Sequence, residues 1–555
     1  MRPTCATLFA FLALLSSLVS AIPAPVQQLV LTSAQPSSLP PLEDASIATL
    51  LSGLSTGAFS SHELTLAYLN RIDLFSDIRA TITINPLALN AAVESDRERK
   101  GLGEDPVPAH RALLGIPFLV KDNIAIPAEA GPTTAGTFSL LNSTVVGPST
   151  VVQRLLDAGA ILLGTTNLDE LAQAKGDHPW GWSARGGQMR SIYGTSADEA
   201  LNEGYGDVCG SSGGSALSIA LGLAAFTLGT QTGVSIVCPA GRAGVVGLKP
   251  GRGGMMPMRG VIPISKHLDV VGPIVRTVAD AEMIWRIIKH PAGWQDGEDD
   301  SIEDCRHLQR HSPSRIRIGV PKKVFWDLDD MPFITCTLST FISRLSLDPR
   351  FQVISKEVIN ITAMTSDANF DNISTVTSHE LKIGINHYLK NWTDHLSSNI
   401  HSLSGMISFN FDNPSLELPK GPFPAFGHEP DDAESYADQS FLLKADALEV
   451  VGWGNKTYRD SKETLERVGW KEGLKEYFLG EDGVDVMLVP TEGISGGLAS
   501  LAAVPQITRS PPFSYQARRL TDLTCNSKTV PLGYYPSNYT IEADATWPLY
   551  PYPNM

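Results

Sequence analysis

Residues 206–250 of this chain read GDVCGSSGGSALSIALGLAAFTLGTQTGVSIVCPAGRAGVVGLKP. Two Gly/Ser-rich turns, 210–215 and 229–235, flank an apolar, Ala-rich run with a helical look. Such a run is too apolar to stay solvated, so the stretch belongs to a packed body and not to a linker. Glycine lets a backbone approach a ligand closely, or adopt positive φ, at no steric cost. Each glycine cluster carries or precedes a serine. The stretch therefore reads as an active-site frame holding a nucleophile and its proton relay. Ordinary turn serines are the plain alternative for either residue alone.

The flanking sequence alternates strand and helix signals. Ser60 and Glu63 form a capping-box pattern, and Leu64, Tyr68 and Ile72 recur on one helical face. A second helix is expected over 87–100. Residues 116–120 read as a short buried strand that runs straight into Lys121-Asp122-Asn123. A buried ammonium is costly unless it is paired or neutral, so Lys121 is either a special lysine or a surface residue just past the strand end. Residues 149–158 suggest a helix closed by Gly159, followed by a strand over 160–164. Two short strands and a helix to 288 follow the central stretch. A polar, acidic loop spans 293–314, and 316–321 is expected to rejoin the sheet. Residues 350–480 read as a helical cap, and 485–491 as a last buried strand. This alternation predicts an α/β fold with a mixed, mostly parallel central sheet covered by helices on both faces.

The chain has 555 residues, 43% of them hydrophobic and 18% charged, which suits one large globular enzyme. A net charge of −16 argues against nucleic acid and anionic membrane as partners. Residues 1–21 read as a signal peptide: Arg2, an apolar run at 8–15, then Val19-Ser20-Ala21. That run is shorter than the ~20 residues a bilayer span needs, so a secreted protein is expected. Residues 22–44 look like an extended N-terminal segment. Sequons at Asn142, Asn360, Asn372, Asn391, Asn455 and Asn538 fit a secreted glycoprotein. Without Cys5, the remaining cysteines are Cys209, Cys238, Cys305, Cys336 and Cys525, an odd number. Cys305 with Cys336 is one conceivable bridge, and sequence leaves the pairing open. No metal-ligand pattern appears, so no metal or organic cofactor is expected.

The pattern of motifs resembles the amidase signature family of serine hydrolases. The matching segments are 114–124 (LGIPFLVKDNI), 133–136 (TTAG), 159–170 (GAILLGTTNLDE), 181–188 (GWSARGGQ), 210–216 (GSSGGSA), 229–240 (GTQTGVSIVCPA) and 244–250 (GVVGLKP). The likeness runs from about 46 to 288 and returns weakly at 485–491 and 529–533. It implies an amidase domain over 45–540, with a variable cap at about 290–480 and a divergent tail at 541–555. It also implies a Ser-Ser-Lys relay in which Lys121 is the base, Ser211 the bridge and Ser235 the nucleophile. Backbone N–H groups of Thr232, Gly233, Val234 and Ser235 would bind the oxyanion. The implied activity is hydrolysis of a small-molecule amide through an acyl-Ser235 intermediate.

The chain departs from the family pattern in two places. Where that loop usually reads Asp-Thr-Gly-Gly-Ser-Ile-Arg, this chain has Gln231, Thr232, Gly233, Val234, Ser235, Ile236 and Val237. A β-branched Val234 restricts φ and is expected to narrow the acyl site. The chain also ends in ATWPLYPYPNM, where relatives continue with a strand and a helix. These departures favour a second reading, a weakly active or non-catalytic binding protein on the same scaffold. An amidotransferase subunit, a third reading, conflicts with a signal peptide.

Overall fold

Five consecutive buried residues, Pro117–Lys121, form an interior strand of the sheet that positions the site. The computed structural model describes residues 38–192, 208–251, 256–290, 315–326, 332–394, 400–419, 437–491 and 495–508. The signal sequence, the 529–533 motif, the 541–555 tail, Cys305, Cys525 and Asn538 lie outside the described residues.

The strands used below are β1 (Thr81–Ile84), β2 (Pro117–Lys121), β3 (Ile161–Thr166), β4 (Phe226–Gln231), β5 (Val246–Lys249), β6 (Val270–Val275), β7 (Ile316–Val320), β8 (Phe351–Ser355), β9 (Val486–Met487) and β10 (Gln506–Thr508). The central sheet runs in the order β1-β3-β2-β4-β6-β5-β10. Strand β2 pairs in parallel with β3 and with β4, and antiparallel strands continue the sheet on either side. Every residue of β2, β3 and β4 is buried, as parallel strands covered on both faces require. Phe118 and Phe226, partners across β2 and β4, stack with centroids 5.1 Å apart. The core around them includes Ile47, Leu64, Tyr68, Leu155 and Ile284 from the surrounding helices.

Local signals set the helix starts. Ser60 and Glu63 make the reciprocal capping box at the head of Ser61–Leu74. Ser149 caps Thr150–Asp157, and Gly159 follows in the left-handed region at φ 89°. No helix among the described residues is long and apolar enough to cross a membrane.

Three expectations need correction. Strand β7 does not rejoin the central sheet; it pairs in parallel with β8 and β9 in a separate three-stranded sheet. The segment 485–491 contributes only the two residues of β9, and Val486 is exposed there, so it is not a buried strand. Residues 38–44 are turns packed on the body, with Leu42 wholly buried, and not an extended segment. Residues 361–479 are mainly helical where described, the longest helix being Asp367–Asn391.

Candidate active site

The C-terminal ends of the parallel strands β2, β3 and β4 bring Lys121, Thr166 and Gln231 to one edge of the sheet. Ligands of α/β sheets bind at such an edge, because the loops that leave it can be varied without disturbing the strands. Lys121 ends β2 with no exposed surface. Its Nζ donates to Ser211 Oγ at 2.6 Å and to the Thr230 carbonyl of the neighbouring strand at 3.3 Å. Burial pushes its pKa down to about 7, against the opposing pull of Asp169 and Asp269. A neutral amine is therefore well populated near neutrality, which a general base needs.

Ser211 is wholly buried and follows a cis peptide bond from Gly210. Glycine is required at 210, since a Cβ there would lie 1.7 Å from Asp169 Oδ2. The Asp169 N–H donates to the Ser211 carbonyl at 3.2 Å, while its carboxylate accepts from the Gly181 N–H. Gly214 opens the following helix Gly213–Ala220 where a Cβ would meet the Ala80 and Asn167 carbonyls at 2.4 Å. The glycines of GSSGGSA thus answer to close approaches of backbone and carboxylate, and its serines face inward. Ser212 Oγ donates to the Thr230 carbonyl and Ser215 Oγ to that of Leu228.

Ser235 lies in the turn between β4 and the helix Val237–Arg242 and is half-buried. Two links tie its turn to the Ser211 loop. The Ser212 N–H donates to the Ser235 carbonyl at 3.1 Å, and a disulfide joins Cys209 to Cys238. That bridge pairs two of the five cysteines; the Cys305–Cys336 candidate involves a residue outside the described ones. The N–H groups of Thr232, Gly233, Val234 and Ser235 meet no acceptor among the described residues. A Cβ at Gly233 would find nothing within 4 Å, so this glycine borders open space and is not needed for positive φ. Thr232 is anchored through its hydroxyl to Asp269 Oδ1 at 2.6 Å, and Asp269 Oδ2 accepts the N–H groups of Ile264 and Ser265. Burial raises Asp269 to about 6 despite these donors.

The departures at 231, 234 and 237 have a structural answer. Gln231 is buried; its Oε1 accepts the Ile236 and Val237 N–H groups at 2.8 and 3.1 Å, and its Nε2 donates to the Gly233 carbonyl at 2.6 Å. An uncharged amide thus serves both ends of the turn with no partner cation. A Cβ built on Gly496 would lie 2.9 Å from a methyl of Val234 and 3.1 Å from one of Val237. Both valines therefore pack towards the helix Ser495–Leu501, on which sequence reasoning had nothing to say.

Sequence reasoning also missed four supporting residues. Asp122, wholly buried, holds the TTAG loop through the Thr134 N–H, the Thr134 hydroxyl and the Gly136 N–H. Asp169 and Asp269 flank the relay. Lys175, with no exposed side chain, binds Glu170 Oε1 at 2.6 Å and Glu417 Oε2 at 2.8 Å, tying together segments 242 positions apart. The five described sequon asparagines lie at the surface: Asn142, Asn360 and Asn391 are exposed, Asn372 and Asn455 half-buried.

The amidase family profile matches residues 63–440 of this chain. The chain belongs to the amidase family. A Schizosaccharomyces pombe protein assigned to the amidases is 32% identical over 449 residues, covering 78% of this chain and 72% of its own length. An Arabidopsis thaliana protein with the same assignment is 39% identical over 242 residues, 43% of this chain and 44% of that protein. Among solved structures, the peptide amidase of Stenotrophomonas maltophilia shares 30% identity with a TM-score of 0.66, over 84% of this chain and 90% of the other. This amidase is accordingly a hydrolase acting on the carbon–nitrogen bond of amides.

Proposed function

We propose that this amidase works through an acyl-Ser235 ester with Lys121 and Ser211 as its proton relay. The observation that carries the reading is the buried Lys121 amine 2.6 Å from Ser211 Oγ. A serine hydroxyl is a weak nucleophile and needs an adjacent base. Neutral Lys121 accepts the Ser211 proton as Ser211 accepts that of Ser235, and the Ser235 oxygen attacks the amide carbon. The unpaired N–H groups of the 232–235 loop are the available donors for the resulting oxyanion. Return of the proton to the leaving nitrogen expels ammonia or amine. Water then attacks the ester by the same relay run again, and releases the acid. The uncharged Gln231 side chain, hydrogen-bonded through both its oxygen and its nitrogen, favours this reading over a non-catalytic scaffold. Because the compared bacterial enzyme is a peptide amidase, peptide amides are the first substrates to assay.

We further propose secretion with glycosylation. The Cys209–Cys238 bridge and the surface sequons support it, since structural disulfides persist mainly in oxidising compartments. One intact-mass experiment on protein from its native host tests both proposals. A fluorophosphonate is expected to add one phosphonyl group, mapped to Ser235 and absent from Ser235→Ala. The unreacted spectrum is expected to show hexosamine-bearing glycoforms. An adduct that persists in Ser235→Ala would overturn the nucleophile, and a bare, uncleaved chain mass would overturn secretion.

A further inference from the structure

The peptide bond between Gly233 and Val234 is trans, so its carbonyl and its N–H point in opposite directions. Whatever fixes the Gly233 carbonyl therefore aims the Val234 N–H. Two side chains fix it. Gln231 Nε2 donates at 2.6 Å, and Ser500 Oγ donates at 2.8 Å from the helix Ser495–Leu501. The two donors are themselves 3.3 Å apart, and Gln231 is held by the Ile236 and Val237 N–H groups on its other atom. The Val234 N–H is left without an acceptor among the described residues, at the opposite edge of the peptide plane from this clamp.

We infer that Ser500 and Gln231 are positioning residues for the reaction: they pin the Gly233 carbonyl so that the Val234 N–H is already aimed at the developing oxyanion. The inference rests on Ser235 being the nucleophile. It adds a residue from the far end of the chain, and it gives a purpose to glutamine at 231. A carboxylate there could accept the Ile236 and Val237 N–H groups but could not donate to Gly233. Only the amide does both. Preorganisation of this kind acts on the transition state, because a donor that must swing into place spends part of its stabilisation on reorganising.

The test is the rate at which a fluorophosphonate labels Ser235, since the phosphonyl oxygen occupies the same donors as an amide-derived oxyanion. Ser500→Ala is expected to slow labelling about tenfold or more, a part of the hundred- to thousandfold that deleting an oxyanion donor outright costs. Ser500→Thr, which keeps the hydroxyl, should label near the wild-type rate. Gln231→Glu, which keeps the acceptors and loses the donor, should slow like Ser500→Ala. The pH midpoint of labelling should stay where the wild type has it in all three, because the relay is intact. Wild-type rates in Ser500→Ala would overturn the inference and leave the nucleophile standing. So would slow labelling that Ser500→Thr fails to restore. A wild type that does not label at Ser235 at all would overturn the relay reading itself.

Discussion

Lys121→Met should lower turnover by roughly 10⁴-fold, the order seen when a member of a serine-nucleophile relay is removed. Methionine keeps the length of the buried stem and removes the amine. The near-UV spectrum and the melting temperature should therefore report an intact fold. The loss should fall on kcat, because Lys121 sits behind Ser211 and its amine is spent on Ser211 and Thr230. Steady-state rates on a peptide amide check this. A variant within tenfold of wild type would mean that Ser211 is deprotonated by some other group. The same substitution has a pH signature in stability. The folded pKa of Lys121 lies near 7 and its ordinary value at 10.5, so folding expels its proton between those limits. Wild-type stability should rise across that window relative to Lys121→Met, and the two should run parallel below pH 7.

The second large effect is structural. Lys175→Met should lower stability by about 3–5 kcal/mol, read as a drop in the urea midpoint and in the melting temperature. Lys175 lies between two carboxylates in a site closed to water. Burial raises Glu170 well above the usual carboxylate range, helped by the neighbouring Glu417 and opposed by Lys175. Burial would raise Glu417 too, but Lys175 and the hydrogen bonds around it hold it below its ordinary value. Glu417 also accepts the Phe138 N–H at 2.6 Å and the Thr137 hydroxyl at 2.8 Å. Removing the cation leaves an ionised carboxylate buried without its counter-charge. The double variant Lys175→Met/Glu417→Gln should recover part of the loss, and a single variant as stable as wild type would show that the pair contributes nothing net.

Much of this was legible in the sequence, and the reasons are local. A five-residue apolar strand running into lysine raised the question of a buried lysine, and the structure answers it: Thr166 of β3 pairs beside Lys121 and β4 runs on to Gln231. The glycines at 210 and 214 announced close approaches, which proved to be with Asp169 and with backbone carbonyls. The capping residues Ser60 and Ser149 fixed helix starts because their hydrogen bonds lie within one turn of chain. What sequence missed was non-local. Nothing in Ser500 distinguishes it from any helical serine until the fold carries it to Gly233. The Lys175–Glu417 pair spans 242 positions. Strand β7 carries the same apolar signal as a central strand, and only its partners β8 and β9 assign it to another sheet. Val234 looked obstructive because the direction of a side chain cannot be read from its identity; it packs towards Gly496.

The central claim is that a water-excluded, uncharged lysine drives the serine. The pH dependence of the labelling rate of Ser235 tests it most directly. The rate should climb about tenfold per pH unit in the acid range and level off with a midpoint near 7, where burial sets Lys121. A midpoint near the ordinary lysine value of 10.5, or a rate indifferent to pH, would contradict it.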